Sequence, residues 1–95
     1  MASLSIVKAH SLSHGQAKEA AERVAQDLRA RFALDYRWEG DCIAFQRPGL
    51  SGELTVGAKE VRLDCTLGFL LSALKPAIEK EVHKEFDRRF GPAKA

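Results

Sequence analysis

The chain is poor in the residues that usually announce chemistry. It has two cysteines, three histidines, three prolines and seven glycines in 95 residues, and aromatic residues make up 7%. Two cysteines are too few for a disulfide framework. Neither belongs to a Cys-x-x-Cys pair, no His-Glu-x-x-His is present, and His10 and His14 are placed to straddle a strand end and a helix cap. That spacing does not put two ligands on one helix face, so no metal site is expected at His10, His14 or His83, which read as solvated histidines. No apolar run approaches the ~20 residues that span a bilayer, so no transmembrane segment is expected. The N-terminus lacks a basic stretch followed by an apolar one, so no signal peptide is read. A net charge of +2 is too small to argue for nucleic acid. Gly49-Leu50-Ser51-Gly52 lacks the lysine and helix that a phosphate-cradling loop requires. Repeats, linkers and low-complexity segments are missing too. The expectation is one cytoplasmic domain over residues 1–95, with reduced thiols and a frayed tail at 92–95.

What is present is hydrophobic patterning. Tyr36 to Phe45 consists of two alternating runs joined by Gly40-Asp41, a strong hairpin signal. With those two residues as the loop, Trp38 faces Ile43 and Tyr36 faces Phe45. Arg37, Glu39, Cys42, Ala44 and Gln46 take the other face. A slip of one residue would move the aromatics to solvent, so the register is well specified. A first strand is expected over 4–9. Ser13 with Gln16 forms a capping box, and Leu12 with Ala17 a hydrophobic staple. Ala17, Ala21, Val24, Leu28 and Phe32 then share one helical face, while Lys18, Glu19, Glu22, Arg23, Gln26 and Arg29 take the solvent side. This helix should end near Ala33.

Pro48 to Gly52 reads as a turn. After it, Leu54 and Val56 alternate with polar residues, as do Val61, Leu63 and Cys65. A turn over 57–60 would set Val56 against Val61 and Leu54 against Leu63. Cys65 points into the core and Cys42 away from it. Leu67, Leu71, Leu74, Ile78, Val82, Phe86 and Phe90 form a helical stripe that Pro76 interrupts. Because proline suits only the first turn of a helix, the reading is a short helical entry over 68–74 and a main helix over 75–90. Its pairs, such as Glu85 with Arg89, read as a solvated charged face. The fold class predicted is α+β: two layers, a mostly antiparallel sheet covered on one face by two helices, in the order β-α-β-β-β-β-α.

No nucleophile beside a base, no cofactor motif and no ligand cluster is visible, so catalytic, cofactor-binding and metal residues are all expected to be none. The one stretch with more apolar surface than a single helix stripe needs is 67–74. It is either a helix entry filling the open end of the core or an exposed patch for a partner, with Phe69, Leu70 and Leu71 as the candidate interaction surface.

Trp38-Glu39-Gly40-Asp41, Phe45, Gly49, Gly52, Leu67-Gly68-Phe69-Leu70-Leu71, Leu74-Lys75 and Ile78-Glu79 together resemble the small bacterial polyhydroxyalkanoic acid system proteins. So does the opening, His10-Ser11-Leu12 before an alanine-rich helix with Ala17. The resemblance covers nearly the whole chain. It implies a non-enzymatic accessory role beside polyhydroxyalkanoate synthesis, with the storage granule surface or a storage-system protein as partner. The apolar excess at Phe69, Leu70 and Leu71 separately suggests a second copy, since self-association is the least demanding cover for such a patch. The resemblance supplies no catalytic residue. The competing expectation is a small binding module that holds an acyl-type ligand between sheet and helices, loosely like helix-grip folds.

Overall fold

The computed structural model describes residues 2–91, so the tail expected at 92–95 lies outside the described residues. The element order is β1 (Ala2–Ala9), α1 (His14–Phe32), β2 (Asp35–Glu39), β3 (Cys42–Arg47), β4 (Leu50–Val56), β5 (Glu60–Leu67), a 3₁₀ helix (Phe69–Leu74) and α2 (Lys75–Phe90). The five strands form one antiparallel sheet in the order β1-β5-β4-β3-β2. Four consecutive strands therefore meander, and the first strand closes the far edge against the last.

The hairpin register is the expected one. Tyr36 pairs with Phe45 and Trp38 with Ile43 around Gly40-Asp41, where Gly40 takes φ +66°. Val56 pairs with Val61 and Leu54 with Leu63. The side chains on this face meet α1 and α2, giving a core that includes Leu4, Ile6, Ala17, Ala21, Val24, Leu28, Ile43, Phe45, Leu54, Val61, Leu63, Ile78, Val82 and Phe86. Ala17, Ala21 and Ala25 are wholly buried, and their small side chains let α1 approach the sheet closely. Ser13 caps α1 with the reciprocal Gln16 bonds, each 3.2 Å. The helix ends at Ala33, which takes the left-handed conformation (φ 57°, ψ 44°) and donates its N–H to the Arg29 carbonyl.

Three boundaries differ from expectation. β1 starts at Ala2, two residues early, because β5 runs far enough to pair it. Pro48-Gly49 alone makes the turn after β3, with φ +85° at Gly49, so β4 already begins at Leu50. Gly52 then continues the strand: a Cβ there would lie 2.7 Å from the Asp64 carbonyl oxygen, so only glycine fits between the neighbouring strands. Leu67 ends β5 rather than opening the helical stripe. The cause is that Gly68 is still extended and donates its N–H to the Gly49 carbonyl at 2.7 Å. The main helix spans Lys75–Phe90 with Pro76 in its first turn, as the stripe requires.

Candidate interaction surface

The end of the molecule below β4 and β5 is built by the 3₁₀ helix. Leu71 N–H bonds the Gly68 carbonyl at 3.1 Å, and the Ser72 hydroxyl bonds the Phe69 carbonyl at 2.8 Å. Leu71 turns inward over Gly49, so closely that a Cβ on that glycine would lie 3.1 Å from Leu71 Cδ1. Leu71 and Leu74 are half-buried against the core. Phe69 and Leu70 cannot follow them, since consecutive residues of a helical turn point in different directions. They stand out at 81% and 87% exposure, with exposed Ala73, Pro76 and Ala77 beside them. Of the three residues predicted for this surface, the structure presents two to solvent and uses the third as their anchor. Phe69 and Leu70 are thus the two large apolar side chains most open to solvent among the described residues.

An enclosed ligand site is a different matter. The apolar cavity between sheet and helices, bordered by Leu28, Phe45, Leu63, Cys65, Ile78 and Val82, measures about 20 Å³, room for roughly one water molecule. The larger depression, about 650 Å³, lies on the uncovered sheet face and is walled by polar groups such as Ser3, Ser51, Glu53, Asp64 and Thr66.

Residues 4–90 match the family model described as "Putative polyhydroxyalkanoic acid system protein". The chain belongs to that family. No curated protein and no solved structure matches it.

In this polyhydroxyalkanoic acid system protein the remaining polar chemistry holds the layers together. Glu22, expected on the solvent side of α1, lies at its flank over the edge strand β2. Its two carboxylate oxygens accept from Trp38 Nε1 at 2.7 Å and Tyr36 Oη at 2.8 Å. Those bonds, the tryptophan's foremost, hold the Glu22 carboxyl below its ordinary pKa, and the same contact pushes the Tyr36 phenol up. Trp38 is accordingly half-buried at the sheet edge, beneath α1. The Lys18 ammonium sits 5.1 Å from its ring centroid.

Two further expectations are corrected. His10 is 6% exposed rather than solvated. Its Nδ1 accepts from Leu12 N–H and its Nε2 donates to the Gly57 carbonyl, both at 3.1 Å, while its ring lies 5.6 Å from that of Phe90. The close of β1, the β4–β5 turn and the end of α2 meet on this one ring. His14 and His83 are exposed as expected. Glu85, expected in a solvated charged face, is 2% exposed because α1 lies against that flank of α2. Arg89 bridges the seam, donating to Asp27 at 2.7 Å and to Glu85 at 3.3 Å. Burial, and then the neighbouring Asp27 carboxylate, push the Glu85 carboxyl above its usual value, whereas the bond from Arg89 holds Asp27 below its own. Among the described residues no three His, Cys, Asp or Glu side chains converge as metal ligands. Cys65 is buried in the core and Cys42 half-buried on the opposite sheet face, and burial raises both thiols away from the reactive thiolate. No helix is long and apolar enough to cross a membrane among the described residues.

Proposed function

We propose that this protein is a non-enzymatic accessory protein of polyhydroxyalkanoate storage in the cytoplasm, and that it seats on the polyester granule through Phe69 and Leu70. The observation that carries the reading is the exposure of these two side chains, 81% and 87%, on a turn anchored by Leu71. Burying each fully is worth roughly 1.5–3 kcal/mol. Together they supply about 3–6 kcal/mol, a partition factor of roughly 10²–10⁴ onto an apolar surface. Binding of that size is reversible, like a single short lipid anchor. The acyl-ligand reading loses ground because a cavity of about 20 Å³ holds no acyl chain.

The test is sedimentation of the purified protein with polyhydroxyalkanoate particles, alongside the double variant Phe69→Ser/Leu70→Ser. Both positions are solvent-exposed, so the variant should keep its stability to within about 0.5 kcal/mol. It should lose about a hundredfold or more in partition. Equal partition of parent and variant overturns the reading. Sedimentation equilibrium of the same pair separates the competing occupant: a second copy on this patch gives a parent dimer that the variant loses. Turnover of hydroxyacyl esters by the purified parent would overturn the non-enzymatic assignment.

A further inference from the structure

The two edges of the sheet are built differently. The β2 edge is five residues long and carries Asp35, Arg37 and Glu39, the charges with which natural sheets discourage pairing. The β1 edge is eight residues long and contains no proline. All eight residues are paired to β5 in continuous register, without a bulge. Its hydrogen-bond phase follows from the ladder. His10 N–H donates to the Lys59 carbonyl, and residues 10 and 59 continue the β1–β5 register. In an antiparallel ladder the bonded pairs alternate, so Lys8, Ile6 and Leu4 turn their backbone groups toward β5. The groups of Ser3, Ser5, Val7 and Ala9 turn outward. Gly57 N–H to the Glu60 carbonyl on the other side of β5 has the matching phase. Four residues with uncharged side chains thus offer four donors and four acceptors along one straight edge, with Val7 48% exposed.

We infer that this edge pairs with the β1 edge of a second copy, antiparallel about a two-fold axis at Ile6, to give one ten-stranded sheet. That register sets Ser5 opposite the second copy's Val7 and Ser3 opposite its Ala9, and satisfies all eight outward groups; a shift of two residues either way satisfies fewer. Charge also fits a second copy. Lys8, the strand's only charge, lies opposite the other copy's Leu4, about four strand residues or ~13 Å from the other Lys8. α2 packs on β1. Its flank bearing Glu81, Glu85 and Arg89 faces α1, so the flank over the free edge carries Glu79, His83 and Asp87. Lys8 already bonds Asp87 at 2.9 Å. Pairing therefore places two lysines between two acidic helix flanks. The Phe69–Leu70 patches sit beyond the Ala2 end of each β1, at opposite ends of the paired sheet, so this contact is independent of them.

Sedimentation equilibrium of the full chain from micromolar to submillimolar concentration tests this. The parent should show a concentration-dependent dimer. Val7→Pro removes one outward N–H per copy and no bond to β5, and should weaken the dimer roughly thirtyfold for the two bonds lost. Phe69→Ser/Leu70→Ser should dimerise like the parent. If Val7→Pro does not fold, amide exchange of the parent decides: Ser3, Ser5, Val7 and Ala9 must become protected as concentration rises. A parent that stays monomeric throughout, a dimer that keeps its strength in folded Val7→Pro, or unprotected edge amides in the dimer would each overturn the inference.

Discussion

Glu22 holds the edge strand to α1, and removing its carboxylate tests how much of the two-layer packing depends on one polar contact. In Glu22→Ala, Trp38 Nε1–H and Tyr36 O–H lose acceptors at 2.7 and 2.8 Å. Hydrogen bonds to a charged group contribute about 1.5–3 kcal/mol each. Both aromatics are half-buried, so water reaches their polar ends once the carboxylate is gone, which puts the expected loss at the lower end, about 3 kcal/mol in total. For a domain of this size that is a fall in Tm of roughly 12–24 °C. Thermal unfolding followed by circular dichroism measures it, and tryptophan emission should shift to the red as the ring is freed. The pH dependence carries a second signature. The folded-state pKa of Glu22 is depressed by these bonds. Its contribution is therefore complete above the ordinary carboxylate pKa, and is lost as pH falls through the folded-state value. The gap between parent and Glu22→Gln should close in acid. A variant that melts within two degrees of the parent at neutral pH, or a gap that persists in acid, would refute the reasoning.

Two smaller perturbations address the seam and the helix end. Glu85 has a raised folded-state pKa, so its stabilising share is present at low pH and is lost as pH rises from the unfolded value through the folded one. Glu85→Gln, which keeps an acceptor for Arg89, should be more stable than the parent at pH 8 and lose that advantage near pH 4, measured by urea unfolding. Ala33 holds a left-handed conformation that costs a residue with a Cβ about 1–2 kcal/mol; Ala33→Gly should raise Tm by a few degrees in the same melts, since the relief exceeds the entropy glycine adds to the unfolded chain.

Much of the fold was legible from spacing alone. The Gly40-Asp41 hairpin admits one register that keeps Tyr36, Trp38, Ile43 and Phe45 together, and Pro76 has one comfortable place in a helix, so both were fixed locally. Periodicity, however, says which way a residue points and not what stands there. Glu22 and Glu85 sit on helix flanks, where the pattern reads them as solvated; an edge strand of aromatics meets the first, and the other helix covers the second. His10 follows a strand with no regular pattern around it, and its burial depends on Gly57 and Phe90, which only the tertiary fold brings near. The Leu67–Leu74 stretch left two readings open for a similar reason. The turn splits them, with Leu71 going inward while Phe69 and Leu70 stay out.

The sheet order also has a kinetic side. β2 to β5 are joined by short turns, so each new strand finds its neighbour at once, whereas β1 pairs with β5 across residues 10–59. Closing a loop of some fifty residues instead of about three costs roughly 2.5 kcal/mol more in chain entropy. β1 is therefore the last strand to gain from docking, and the meander waits for it with the edge of β5 bare. Docking of the N-terminal strand thus carries the largest loop-closure cost in the sheet, and the rate of that docking step should fall with destabilising substitutions in β1 and β5 that remove contacts made on docking.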